Sequence, residues 1–505
     1  MAGEFPHYDL LIVGGGINGA GIARDAAGRG LSVLLVEKDD LAAATSSWSS
    51  KLIHGGLRYL EQYEFRLVAE ALSEREVLLN IAPHLVESLR FVMPHVPELR
   101  PRWMIRAGLY LYDHLGRRTR LPGSQGINLR TSHYGSGLKP GFSHGFIYSD
   151  CRVDDARLVV ANALSAQERG ARILTRTECL FAKRSDKLWQ VHLSDGNGPQ
   201  SRVTARAVIN AAGPWVQQVL NDRFHQPSND KVKLVKGSHL VVPRLYEGAH
   251  AFILQNEDRR VIFMIPYEQH YTLIGTTDVA VEDNPGIPSA SPDEIAYLCR
   301  AVNRYLLRPI ESSAAVWTYA GIRPLYDDGS ANPSAVTRDY TLRLDTDAGD
   351  APILSVYGGK ITTYRKLAEH ALEKLAPWFP GLRSSWTAQT PLFGGDIPEG
   401  GFAQFTDVQM KRDFSWLPDD LRRALARRHG TNAYRLLEGA TAIRDLGTHF
   451  GSDLYAREVD FMIELEWALS GDDILFRRTK AGLHLSQEQK EILALHVTRQ
   501  AGGRH

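Results

Sequence analysis

Long apolar runs are missing from the 505-residue chain: the roughly eighteen consecutive apolar residues that a bilayer-spanning helix needs occur nowhere, so no transmembrane helix is expected. Cysteine is scarce. Cys151, Cys179 and Cys299 are few, odd in number and without C-x-x-C or metal-ligand spacing, which excludes a disulfide framework and fits a reducing cytoplasm. Net charge is nearly absent: 59 basic against 58 acidic side chains leave +1, so no global field draws the chain to nucleic acid. Low-complexity tracts and internal repeats are missing too, which excludes a repeat architecture. The stretch Met1–Tyr8 has no basic region followed by an apolar core, so neither a signal nor a transit peptide is expected there.

The length exceeds what one ordinary core holds and predicts two or three domains. The first is organised around Asp9–Ala20, an apolar run that stops in glycine and restarts as a helix. Gly14, Gly16 and Gly19 have the G-x-G-x-x-G spacing, which allows a tight turn, close approach to a pyrophosphate, and close helix–strand packing. The helix then turns unpaired N–H groups and its positive dipole end toward phosphate. A second strand, Leu31–Val36, closes in Glu37, about twenty residues past the glycines, where a carboxylate can accept from ribose hydroxyls. A glycine loop alone would carry little; in this context it predicts a dinucleotide site.

Three further segments return to the same place. Thr45, Ser46, Ser47, Ser49, Ser50 and Lys51 form a dense set of donors for phosphate, unless they are only a serine-rich surface loop. The pair Gly55-Gly56 after them leaves room for a flat ring, with Arg58 and Tyr59 beside it. Asn210-Ala211-Ala212-Gly213-Pro214 ends another strand in a small-residue turn. Tyr357-Gly358-Gly359-Lys360-Ile361-Thr362 does so again before a late helix whose N-terminus can stabilise negative charge. An NAD-only domain needs none of these extra segments; an extended FAD does.

The fold class expected is α/β: an FAD-binding Rossmann-like domain (residues 1–75, 142–220 and 350–385), an interleaved antiparallel-sheet substrate domain (76–141 and 221–349), and an α-helical C-terminal domain (390–505). The antiparallel sheet is expected from β-rich runs at Leu234–Val242, Val261–Pro266, Tyr271–Thr277, Thr318–Pro324 and Thr337–Leu342. Helical spacing runs from Glu61 to Leu89 with Pro83 as a break; Phe91–Pro101 is expected as a strand and Gly123–Gly141 as a glycine-rich loop. Trp103–Tyr112 predicts an apolar helix flanked by arginines, buried with solvated ends in preference to lying on a membrane surface. Past Pro391, helices are expected at Asp419–His429, Asn432–Glu438, Tyr455–Trp467 and Gln487–Arg499.

The glycine loop, Ser49–Leu60 and Gly358–Arg365 together resemble the FAD-dependent glycerol-3-phosphate dehydrogenases of the bacterial aerobic type. The similarity continues through Lys236-Gly237-Ser238-His239, Gly275-Thr276-Thr277-Asp278 and Gly321–Leu325 into the helical tail, covering nearly the whole chain. The resemblance implies oxidation of sn-glycerol 3-phosphate to dihydroxyacetone phosphate, with electrons passed to a membrane quinone. It also implies a homodimer held peripherally on the cytoplasmic face of the cell membrane. The calcium-binding domain of mitochondrial relatives is not expected, and Asp345–Asp350, which lacks the closing glutamate of a calcium loop, is expected as a hairpin turn. No metal site is expected.

The residues agree with a phosphorylated substrate, since a phosphate dianion needs several cations. Arg58, Arg323, Arg338 and Lys360 each lie beside a glycine turn or at a strand end, and Tyr59 and Thr276 join them as substrate-side residues. The cofactor set expected is Gly14, Gly16, Asn18, Gly19, Glu37, Thr45, Ser46, Ser47, Ser50, Lys51, Leu52, Gly55, Gly56, Leu57, Ala211, Gly213, Gly358, Gly359, Lys360, Ile361 and Thr362. Oxidising a secondary alcohol also needs a base for the hydroxyl proton; His54 and His239 both qualify, and the sequence does not choose between them. The alternatives are a glycerol-3-phosphate oxidase using oxygen, an amine or amino-acid oxidase, or a non-catalytic flavin-binding partner protein at a membrane surface.

Overall fold

The computed structural model describes residues 5–116, 120–196, 198, 200–226, 232–258, 260–282, 285–327, 339–346 and 350–502. Its centre is β1 (His7–Val13), which leads through the glycine turn into α1 (Ile17–Gly28) and then β2 (Val33–Val36). β1 pairs in parallel with β2 on one side and with the strand Ser201–Asn210 on the other; Arg172–Leu174 and Ile353–Tyr357 extend the parallel set outward. Leu10 and Ile12 face a core built with α1 and α4 (Asp155–Gln167), while Leu11 and Val13 face a second core with Trp189, Val191 and Phe224. Covering both faces is why these strands are apolar throughout instead of alternating.

Among the described residues the second sheet has ten strands, and its spine is Val232–Pro243, which pairs antiparallel with Trp317–Tyr326 from Val232 opposite Tyr326 to Val241 opposite Trp317. The helix Pro292–Asn303 covers one face, its start fixed by a Ser291–Glu294 capping box. Both sheets end at the same cleft.

Several expectations shift. Thr341–Asp345 pairs with Ile353–Tyr357, so it is the edge of the first sheet and not part of the substrate layer. The turn between them includes residues outside the described set, as does Arg338. Leu52–Ile53 pairs with the strand His144–Val153, so the second sheet begins inside the segment assigned to the first domain. The long helix is α2 (Phe65–Ile81), ending before Pro83, and the strand after it starts early, at Val86–Pro94. Gln125–Asn128 forms a strand where a loop was expected.

The arginine-flanked helix is α3 (Arg102–Leu115), and it is not buried. Ile105, Leu109 and Tyr112 face inward while Trp103, Met104, Tyr110 and Leu111 are exposed, Trp103 by 70%. Among the described residues no helix is long and apolar enough to cross a membrane, and no cluster of side chains could hold a metal ion. All three cysteines are free and buried. The C-terminal module holds the helices Asp419–His429, Ala456–Leu465 and Gln487–Gly502 around its own two apolar clusters.

Candidate active site

The turn after β1 is set by two close approaches. Gly14 has φ +113°, and a Cβ on it would lie 2.5 Å from the Ala211 carbonyl oxygen; a Cβ on Gly19 would lie 1.9 Å from the Gly14 oxygen. Glycine is therefore required at both positions for the turns after β1 and after Ser201–Asn210 to meet. Glu37, at the end of β2, accepts from Gly15 N at 2.6 Å and from Asp39 N at 2.9 Å, and burial raises its carboxyl above the usual range.

Two cavities meet here. The first, about 430 Å3, is lined by Gly14, Gly16, Asn18, Glu37, Thr45, Ser46, Ala211, Gly213, Gly358 and Gly359. The second, about 300 Å3, is lined by Ser50, Leu52, His54, Gly56, Leu57, Arg58, Tyr59, His239, Thr276, Arg323, Lys360, Ile361 and Thr362. Ile17, Thr45, Ser46, Pro324 and Gly359 border both, so the two are one continuous, elongated cleft.

Four expected cofactor residues do not line it. Lys51 is buried, donating to Asp155 Oδ1 at 2.7 Å and to the Ser47 carbonyl oxygen at 2.9 Å, so its ammonium is committed to the protein and not to phosphate. The Ser47 hydroxyl donates to Ala44 O. Gly19 packs on Gly14, and Gly55 donates its N–H to the Tyr112 hydroxyl at 2.8 Å, which holds the loop to α3. These four build the walls from behind.

Other lining residues were not among the expected set. Lys38, Thr177, Trp215 and Arg223 border the first cavity, and Phe91, Tyr148, Asp150 and Phe263 the second. Of the lining residues, Trp215, directly after Pro214, and Asp278, which closes the Gly275–Asp278 motif, had a sequence signal; Lys38, Thr177 and Arg223 sit in connecting turns, and Phe91, Tyr148, Asp150 and Phe263 at ordinary strand positions.

The cations differ in how they are held. Arg58 makes no hydrogen bond or ion pair among the described residues. The Lys360 ammonium sits 4.0 Å from the centre of the Tyr59 ring. Arg323 donates to Thr277 O at 2.9 Å and to Asp278 Oδ1 at 2.6 Å, so part of its charge is already answered. The side chains of Arg58 and Tyr59 come from one short 3-10 helix, Leu57–Gln62, Arg323 from a strand of the second sheet, and Lys360 from the turn after Gly359.

The two histidines are no longer equivalent. His239 is buried, stacked on Tyr319 with ring centres 4.7 Å apart, and its Nε2 lies 2.9 Å from Ser50 Oγ. Burial, then Lys51 and Arg323, push its pKa down to about 3, so it is neutral at pH 7 and a weak base. His54 is half-buried on the cavity wall, 6.4 Å from the Phe263 ring centre, and its backbone N–H points to Thr362 Oγ1 at 3.4 Å.

The cleft fits an extended FAD. Asn18 donates its Nδ2 to the Gly358 carbonyl oxygen at 3.1 Å, which ties the first glycine turn to the late one, while its Oδ1 is buried on the cavity wall without a hydrogen-bond partner among the described residues. Gly358 and Gly359 have φ +76° and +99°, and Gly359 faces Asn18 where a side chain would collide. Glu37 and the small-residue turn Ala211–Gly213 border the first cavity, and the segments that carry Arg58, Arg323 and Lys360 border the second.

Comparison with known proteins agrees with this geometry. Residues 9–365 match the family "FAD dependent oxidoreductase", and residues 385–498 match the "C-terminal domain of alpha-glycerophosphate oxidase". The chain belongs to the FAD-dependent oxidoreductases, and within them to the glycerol-3-phosphate dehydrogenases. It is 54% identical to a glycerol-3-phosphate dehydrogenase of Pseudomonas aeruginosa, over 97% of this chain and 95% of that protein. It is 51% identical to the aerobic glycerol-3-phosphate dehydrogenase of Escherichia coli over 95% of each, and 49% identical to a D-erythritol 1-phosphate dehydrogenase of Brucella abortus over 95% of this chain and 96% of that one. The solved glycerol-3-phosphate dehydrogenase of Bacillus halodurans, complexed with FAD, superposes with a TM-score of 0.74 at 26% identity, covering 98% of this chain and 94% of that one.

Proposed function

We propose that the chain oxidises sn-glycerol 3-phosphate to dihydroxyacetone phosphate, and that the acceptor of its electrons is a membrane quinone. The observation that carries this reading is the convergence of Arg58, Arg323 and Lys360, from three separate segments, on the cavity that also holds His54 and Thr276. Bound FAD supplies the acceptor for the hydride that leaves C2. The chain's own residues do the rest. Arg58, Lys360 and Arg323 bind the phosphate, with Arg338, outside the described residues, expected beside them. Tyr59 orders Lys360 through its ring face, and Thr276, whose hydroxyl donates to Thr277 O at 3.2 Å, accepts from a substrate hydroxyl. His54 takes the hydroxyl proton, because it borders the cavity while still reaching solvent, whereas His239, neutral and buried, orients through Ser50.

The reading extends to a peripheral position on the inner face of the cell membrane, supported by the exposed apolar side of α3 and by Arg100, Arg102 and Arg106 around it. Tyr63 and Phe65, exposed nearby in sequence to the cavity loop, add to that surface. Flotation with liposomes is expected for the native chain and is expected to fail for Trp103→Asp/Leu111→Asp. A homodimer belongs to the same reading and is measured by light scattering.

The deciding experiment is an anaerobic visible spectrum before and after substrate. Yellow absorbance is expected to bleach with glycerol 3-phosphate but not with glycerol or D-amino acids. Flavin that stays oxidised would overturn the reading in favour of an amine oxidase or a binding module. Faster bleaching by D-erythritol 1-phosphate would move the substrate to a four-carbon polyol phosphate. Reoxidation by a soluble quinone faster than by oxygen separates the dehydrogenase from an oxidase.

A further inference from the structure

The loop Glu37–Ala44 forms one wall of the nucleotide end of the cleft: Glu37, Lys38, Asp39 and Ala42–Ala44 all border the first cavity. Asp40, in the middle of that loop, does not. Its carboxylate turns inward and is only 1% exposed. Backbone bonds hold the loop at its ends, Arg176 N to Asp39 O at 2.9 Å and Ala42 N to Gly15 O at 3.1 Å. The Asp40 carboxylate is held by the C-terminal module, more than four hundred residues away. Arg478 grips it as a two-pronged fork, Nη1 to Oδ2 and Nη2 to Oδ1, each at 2.7 Å, and Arg477 Nε reaches Oδ2 at 2.6 Å. Arg478 is itself fully buried and also donates to Glu466 O.

The same segment touches the other wall. Phe476 stacks on Trp317, ring centres 5.4 Å apart, and Trp317 packs on Trp48, which borders the second cavity. Lys480 bonds Asp154 at 3.2 Å, at the start of α4, where the next residue, Asp155, holds Ser49 and Lys51 of the serine-rich loop. None of Asp473–Lys480 borders either cavity.

We infer that the C-terminal module is a clamp on the cofactor cleft, with Arg478 and Arg477 as positioning residues that fix the loop Glu37–Ala44 through Asp40. Arg477 and, at 3.8 Å, Arg176 stay near Asp40, but a buried carboxylate that loses its two-pronged partner is costly, so without the fork the loop moves to solvate Asp40 and carries Glu37 and Ala42–Ala44 out of register with the nucleotide. A second-layer support of this kind controls how tightly a ligand is held more than the chemistry done on it. The inference rests on FAD as the cofactor, and the experiment keeps the two apart.

The test is a fluorescence titration of cofactor-stripped, full-length protein with FAD, with melting temperatures of the stripped protein alongside. Arg478→Met is expected to raise the FAD dissociation constant by about tenfold or more, Arg478→Lys by less because it keeps charge and loses the fork. Once FAD is saturating, kcat and the KM for glycerol 3-phosphate are expected within about twofold of the native values. Asp40→Leu/Arg478→Met, which removes both charges, is expected to recover part of the lost affinity. In hydrogen exchange the amides of residues 38–44 are expected to open in Arg478→Met while those of β1 do not. An FAD affinity within about twofold of native, with a lowered melting temperature, would reduce the contact to plain stability and overturn the clamp. Should Arg478→Met not fold, Arg477→Gln is read by the same criteria. Native stripped protein that takes up no FAD would instead sink the cofactor assignment.

Discussion

At the residue scale, the chain's cations separate into those spent on the fold and those left for a ligand. Lys51 stands in a loop full of donors, yet its ammonium is bonded to Asp155, 104 positions away, and no local pattern reveals such a partner. Arg58, seven residues on, reaches the cleft and makes no ion pair among the described residues. Arg323 lies between these cases, sharing its charge with Asp278. Substituting Arg323 by Ala removes one charge-assisted contact, about 1.5–3 kcal/mol, so the KM for glycerol 3-phosphate is expected to rise roughly 10- to 150-fold in steady-state assays. FAD is expected to stay bound, and flavin lost on purification would remove Arg323 from the substrate side. His54→Gln is expected to lower kcat by about 10² to 10⁴ and to abolish the acid limb of the kcat profile. A variant that keeps that limb would return the proton to another group. The sequence brought both histidines forward; only burial distinguishes them, and burial is a property of the assembled sheets.

The elements were legible where local spacing dictates them. β1, the glycine turn, α1 and β2 stand where the pattern puts them, because two strands covered on both faces and a phosphate turn leave little choice of residue. Thr341–Asp345 was assigned to the wrong sheet because a strand's composition does not name its neighbour. The apolar content of α3 was equally visible, but which side is covered depends on what packs against it. Its inner side ends at Tyr112, whose hydroxyl lies 2.7 and 2.8 Å from the two oxygens of Asp150 and accepts from Gly55 N. Arg75 holds the same carboxylate from α2. Tyr112→Phe keeps the ring and removes only that link. Because it strips a donor from a buried carboxylate, a loss of about 1–3 kcal/mol is expected, read as a lower urea midpoint. An unchanged midpoint would mean that Arg75 alone satisfies Asp150.

At the scale of the whole molecule, charge is buried where the C-terminal module meets the nucleotide domain. Arg157 reaches across to bond Glu466 and the Arg428 carbonyl oxygen, and Asp40 is gripped from the other side. The helical character of that module was legible from its spacing; its docking was not, since single charges far apart in sequence carry no pattern. Burial also holds histidines uncharged, His84 at that junction and His239 and His250 in the second sheet's layer. His84, at the foot of α2, is held down to about 3 by burial and by the nearby Arg157 and Arg427, and His239 to about 3 as well. Both values lie below the unfolded value of about 6.5, so the unfolded chain binds more protons in acid. Stability from this source is complete above pH 6.5 and is lost as the pH falls from there toward 3. Each histidine costs about 1.4 kcal/mol per pH unit in that window, or about 2 kcal/mol each by pH 5. Glu294, whose burial is outweighed by bonds from Ser291 N and from Lys236, Thr277 and Ser238 so that it is lowered to about 2, loses its contribution only below about pH 4.5, so it does not contribute to the fall between pH 6.5 and 5. Urea titrations between pH 6.5 and 5 are therefore expected to show a falling midpoint. His84→Asn, remote from the cleft, is expected to flatten that fall by the share of one proton while leaving the plateau above pH 7 at its own constant level. A slope that His84→Asn leaves untouched would mean that His84 does not stay neutral in the folded chain, and that the acid sensitivity of the domain junction comes from its carboxylates.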